Sequence, residues 1–216
     1  ALWAKLMNGL GYQKFGAQGG DWGASVSTLL GFLYPEKVGG IHLNYIPGSL
    51  GPHPGHIDSD LSEAERAFLQ ERESWSLAEG GYGHIQGTRP QTLSYGLNDS
   101  PVGLAAWVVE KFRSWSDCDG EVERRFTKDE LLTNVTIYWV TETVHSSMRL
   151  YYETLQAPLH FKQGERIQVP CAVAHFPKES PFPPREWVER FYHVQRWTDM
   201  PRGGHFAAME EPELLA

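Results

Sequence analysis

The sequence predicts an α/β fold: a parallel sheet with flanking helices, into which a block of helices is inserted. Three observations carry this expectation. The opening residues alternate helix, strand, helix and strand. From Asn44 onward the pattern becomes helical only, and the α/β rhythm resumes at Ile167. The expected division is a first core part over 1–45, a helical cap over 46–163 and a second core part over 164–216.

Leu2, Trp3, Leu6, Met7 and Leu10 recur with the helical period as far as Gly11. A strand is expected over Phe15 to Gly19, then the turn Gly19-Gly20-Asp21-Trp22-Gly23. A helix through Val26, Leu29, Leu30 and Leu33 follows and stops before Pro35. Val38 to Leu43 reads as the next strand. Residues 46–57 carry three prolines and three glycines, the composition of a linker or excursion. Within the helical block, one helix begins near Ser62, where Ser62-x-x-Glu65 is a capping box. A second starts at Ser100-Pro101 and runs through Phe112. A third starts at Thr127, with Glu130 completing its capping box, and is expected to continue towards Glu153. The second core part reads as a strand over Ile167 to Ala174, a helix from Pro183 through Phe191, a strand over Val194 to Thr198 and a final helical stretch. A helical block set between two parts of one parallel sheet encloses a pocket at the strands' C-terminal edge, where open α/β sheets bind ligands.

Composition narrows the partners. A chain of 216 residues with a net charge of −8 offers little to neutralise phosphates, which excludes a nucleic-acid partner. No apolar run approaches the ~20 residues that span a bilayer, and no secretory signal pattern is present, so a soluble, cytoplasmic protein without membrane contact in this stretch is expected. Cys118 and Cys171 have no metal-ligand spacing and are expected to be free thiols. Neither a metal nor an organic cofactor is expected.

Gly19-Gly20-Asp21-Trp22-Gly23 has the small-x-nucleophile-x-small form of a nucleophile elbow between a strand and a helix. The competing structural reading of Asp21 is an N-cap of an ordinary helix. As a nucleophile, an aspartate attacks saturated carbon and becomes an ester, which water must then cleave. That cleavage needs a base, an orienting acid and an oxyanion hole, whose expected first donor is the Trp22 backbone N–H. His205 fits the base, lying on a glycine-flanked loop after the last strand, and His175 is its rival. Glu179, just after the strand that ends near Phe176, fits the acid better than Asp199. Tyr151 shares a helical face with Val144, Met148 and Leu155 and is expected to point inward, whereas Tyr152 points away. Tyr82 follows Gly80-Gly81, which lets the backbone direct it into a pocket. Either phenol can donate a proton, but a core tyrosine with one satisfied hydroxyl is the default.

These motifs resemble the epoxide hydrolases of the microsomal type, in the α/β-hydrolase superfamily. The resemblance runs over nearly the whole chain. It includes Gln18-Gly19-Gly20-Asp21-Trp22-Gly23, His42-Leu43-Asn44, Gly81-Tyr82-x-His84-Ile85-Gln86, Glu110-Lys111-Phe112, Ser146-Ser147-x-Arg149-x-Tyr151 and Arg202-Gly203-Gly204-His205-Phe206 through Glu210-Glu211-Pro212. It implies Asp21 as nucleophile, His205 as base, Glu179 as its partner, and Tyr82 and Tyr151 as the acids that hold the epoxide oxygen. The implied substrates are a small hydrophobic epoxide and water. Relatives also carry a His-Gly-x-Pro oxyanion motif upstream of the nucleophile, which this sequence lacks. N-terminal strands of the fold are therefore expected to be missing, and the chain alone is expected to be inactive or poorly folded. Two other functions compete at this level: a haloalkane dehalogenase, and a non-catalytic α/β-hydrolase relative that binds a hydrophobic ligand.

Overall fold

A computed structural model describes residues 2–48, 61–158, 161–162 and 164–216. Much of the proline- and glycine-rich stretch from residue 46 lies outside them. The chain opens with α1 (Leu2–Gly9), β1 (Phe15–Gly19), α2 (Trp22–Leu33) and β2 (Val38–Leu43), in the expected order and places. Among the described residues six α-helices follow, with a short 3-10 turn (Val122–Arg124) between the fourth and fifth: α3 (Glu63–Glu79), α4 (Gly81–Thr88), α5 (Pro90–Asp99), α6 (Pro101–Trp115), α7 (Lys128–Thr141) and α8 (Val144–Gln156). Then come β3 (Ile167–His175), α9 (Arg185–Glu189), β4 (Tyr192–Asp199), α10 (Ala207–Glu210) and α11 (Pro212–Leu215).

The four strands form one parallel sheet in the order β1-β2-β3-β4. Gly19 pairs with Leu43, Leu43 with Val173, and His175 with Asp199, so the C-terminal ends of all four strands lie along one edge. Burial alternates strictly in the first half of β3: Ile167, Val169, Cys171 and Val173 are buried, while Gln168 and Pro170 are exposed. The buried side packs with Leu30, Ile41, Leu43, Trp187 and Val188 into the main core. A buried hydrogen bond of 2.8 Å between Thr28 Oγ1 and the Tyr192 hydroxyl pins α2 to β4. The inserted helices hold a core of their own, built on Leu97, Leu104, Val135, Val144 and Met148. Cys118 and Cys171 are both free and buried, and burial pushes the Cys171 thiol up to about 12.

The capping boxes at Ser62 and Thr127 both form. The long helix expected from Thr127 towards Glu153 does not. It breaks at Glu142, which takes the left-handed conformation with φ 53° and closes α7. Thr141 explains much of the break: its hydroxyl bonds back to the Ile137 carbonyl and also to the Thr143 hydroxyl, competing with the helical ladder. The break turns α8 back onto α4 and α5. Val144 and Met148 are buried as expected, but Leu155, expected on the same inward face, is exposed. The final helical stretch is also divided, because Glu211 precedes Pro212 and leaves the helical region at φ −143°. The helix expected from Pro183 is confined to Arg185–Glu189.

Candidate active site

Each strand end delivers one part of the site. The turn after β1 carries Asp21, whose backbone sits at φ 45°, ψ −125°, a region that non-glycine residues rarely enter. The turn is possible because Gly19 lies against the Gly23 carbonyl, where a Cβ would collide with backbone. Asp21 caps α2, but not in the usual manner. An ordinary N-cap has extended backbone and bonds an amide two or three residues on. Asp21 Oδ1 instead accepts from its neighbour, Trp22 N–H, at 2.5 Å. Its other oxygen, Oδ2, lies 2.9 Å from His205 Nε2.

His205 completes a linked series. Its Nδ1 is 2.9 Å and 3.1 Å from the two oxygens of Glu179, which is 5% exposed. Glu179 reaches this place on the short loop that leaves β3, where Lys178 N–H donates to the Gly203 carbonyl. Gly203 has φ 104°, conformational space that favours glycine, and leads the chain into the histidine. Burial alone would push the His205 imidazole down. Its hydrogen bonds to Asp21 and Glu179, and their negative charge, reverse the sign and hold it up at about 10.

The rivals named from sequence find each other instead. His175 Nδ1 pairs with Asp199 Oδ1 at 2.9 Å beside the ring of Phe182, and neither completes a link to Asp21.

Above the carboxylate stand the two tyrosines. Tyr82, near the start of α4, and Tyr151, on α8, meet edge to face with centroids 5.8 Å apart. Tyr151 also packs edge to face on the Trp22 ring, with centroids 5.1 Å apart. Burial first raises both hydroxyls above the ordinary tyrosine range, joined by Tyr151 and then the Asp21 charge at Tyr82 and by the Asp21 charge at Tyr151, so both stay protonated. A cavity of about 740 Å³ opens over this group, lined by Asp21, His205, Tyr82, Trp115, Tyr45 and Phe68 among others. Among the described residues no cluster of histidine, cysteine and carboxylate side chains is arranged to hold a metal ion. No helix among them is long and apolar enough to cross a membrane.

The structure thus gathers Asp21, Trp22, Glu179, His205, Tyr82 and Tyr151 into one place. It adds residues to which sequence reasoning gave no role. Tyr45 packs edge-on to the His205 ring at 6.2 Å. Trp115 contacts both Tyr82 and His205, at 5.1 and 5.2 Å, and its carbonyl accepts from His205 N–H. Asn44 accepts from Gln18 at 2.8 Å and backs the elbow at Gly20. Of these, only Asn44 stood beside a recognisable signal, at the end of a strand.

No model of a known protein family matches the chain. Individual relatives do. Epoxide hydrolase 1 of Oryctolagus cuniculus is 42% identical over 100% of this chain and 52% of its own length. The crystal structure of juvenile hormone epoxide hydrolase from the silkworm Bombyx mori superposes with a TM-score of 0.85 at 35% identity, over 99% of this chain and 55% of that one. The Aspergillus niger epoxide hydrolase structure gives 0.80 at 31% identity, over 99% and 53%. The chain spans about half the length of the curated relatives it matches. Over that span the chain is homologous to these epoxide hydrolases in sequence, and its fold is the α/β-hydrolase fold.

Proposed function

We propose that this chain carries the nucleophile, base and acids of an epoxide hydrolase, converting a small hydrophobic epoxide and water to a vicinal diol. The observation that carries the reading is the unbroken hydrogen-bonded series Asp21–His205–Glu179 at the floor of a cavity on which Tyr82 opens. Helices α3 to α8 act as the lid over that cavity.

In the first step an Asp21 carboxylate oxygen attacks an epoxide carbon, forming a C–O ester bond while the ring C–O bond breaks. The alkoxide takes its proton from Tyr82 or Tyr151, the phenols that burial keeps protonated. Oδ1 is held by Trp22 N–H and Oδ2 by His205 Nε2, and attack through Oδ2 leaves Oδ1 on the backbone amide. Oδ1 then becomes the ester carbonyl, held by the donor that stabilises it as an oxyanion. Once Asp21 is esterified, the His205 proton returns to the tyrosinate. In the second step the neutral imidazole takes a proton from water as the hydroxide adds to the ester carbonyl carbon. Collapse breaks the ester C–O bond, the departing diol oxygen takes the proton of the added hydroxyl, and the carboxylate and imidazolium are restored. Glu179 holds the imidazole and balances its charge.

His205→Gln is expected to stop the second step and not the first. Intact-protein mass spectrometry after mixing with styrene oxide should then find one stable adduct, absent from Asp21→Ala. An adduct that persists in Asp21→Ala, or none in either variant, contradicts the assignment.

A further inference from the structure

The motif Glu110-Lys111-Phe112 has no part in the steps above, yet Lys111 points at them. Its ammonium lies 5.1 Å from the centroid of the Tyr82 ring and 5.3 Å from that of Trp115. Two carboxylates hold it there: Glu79 Oε2 at 3.0 Å and Glu110 Oε2 at 2.9 Å, with the lysine side chain only 18% exposed. Glu79 Oε2 also accepts from Trp115 Nε1 at 3.2 Å. Glu79 ends α3 and Gly80 joins it directly to α4, which bears Tyr82. The cluster therefore ties the backbone that carries Tyr82 to α6.

Two carboxylates outweigh one ammonium, so the cluster has a net negative charge, is no anion site and exerts no long-range pull on Asp21. What remains is short-range. A cation on the face of a phenol is attracted by the ring's electron density and draws on it, which fixes the ring and makes the hydroxyl a better donor. The other groups facing Tyr82, namely Tyr151, Asp21 and Tyr45, act in the opposite sense on its proton.

We propose that Lys111 is a positioning residue for epoxide opening, holding the Tyr82 ring by its face and strengthening the hydrogen bond from that phenol to the epoxide oxygen. The proposal rests on Tyr82 acting as a proton donor in the first step. Lys111 touches neither substrate nor Asp21, so it acts on ester formation and leaves ester hydrolysis alone.

The test is rapid-quench measurement of both steps in the intact protein, with propene oxide and with 3,3,3-trifluoropropene oxide. Lys111→Met is expected to slow ester formation from propene oxide by about 10-fold. The trifluoromethyl group stabilises the alkoxide and lessens the need for a proton donor, so there the defect should shrink to about 3-fold. Ester hydrolysis should stay within about twofold of wild type, and Lys111→Arg should restore most of the loss. Equal slowing of both steps, the same defect with both epoxides, or wild-type ester formation each overturns the proposal. If Lys111→Met does not fold, Glu79→Gln decides: it keeps the lysine and loosens its tether. A smaller defect confined to ester formation supports the role, and any other pattern overturns it. If wild type forms no ester with either epoxide, the underlying reading of the site fails, which differs from an ester that forms equally well without Lys111.

Discussion

At Asp21 a strained backbone and a shared proton meet. The positive φ aims the carboxylate away from the sheet edge, and its two oxygens have different partners, Trp22 N–H and His205 Nε2. His205 lies between two carboxylates and is held at about 10, so in the resting protein it is protonated at neutral pH. A protonated imidazole cannot act as a base. The proposed chemistry resolves this, because esterification removes the Asp21 charge and one of the two bonds that raise His205. The imidazole then falls back towards its ordinary value of about 6.5 and becomes a base only when one is needed. The sign follows. Ester hydrolysis is expected to rise with pH through the lowered imidazole value, between about pH 6 and 9. Single-turnover rates across that range check this; a hydrolysis limb that stays near 10 would mean Asp21 keeps its charge.

Between elements, the histidine loop is tied to the inserted helices by a charged clamp. Asp117 Oδ2 accepts from Gly203 N–H at 2.9 Å and pairs with Arg125 at 3.2 Å. Arg125 also pairs with Glu211 at 2.8 Å, and Glu211 with Arg202. Glu210 accepts from the Asp117 and Phe206 amides. Glu211 is 8% exposed and Arg125 24%, so their pair is screened less than surface charges are, whereas Arg202 is largely exposed. Arg125→Met is expected to cost about 2–3 kcal/mol in denaturant unfolding and to slow ester hydrolysis more than ester formation. Unchanged stability would reduce the clamp to surface decoration. None of this was legible locally: Asp117 and Gly203 are far apart in sequence, and Glu210-Glu211-Pro212 carries no sign of its partners. The helix break at Glu142 was hidden for a related reason. Apolar spacing continues across it, and only the side-chain bonds of Thr141 reveal the competition. Yet that break is what returns α8, and with it Tyr151, to α4 and Tyr82.

Across the molecule, one parallel sheet aligns four strand ends and so brings together residues spread over most of the chain. The positions of the strands along the chain and the principal site residues were readable because glycines and prolines mark the turns. Asp21, Glu179 and His205 each follow a strand at a recognisable boundary. Tyr45, Trp115 and Lys111 were not readable, since aromatic and basic residues inside or beside an element look like packing or solvated surface until the insertion is folded over the sheet. The whole account turns on whether Asp21 becomes an ester. The direct measurement is turnover of an epoxide in ¹⁸O-water followed by mass analysis of the peptide that contains Asp21. The account predicts ¹⁸O in the Asp21 carboxylate and an unlabelled diol in the first turnover. Labelled diol from the outset, with Asp21 unlabelled after repeated turnovers, would mean that water attacks the epoxide directly and that Asp21 is not the nucleophile.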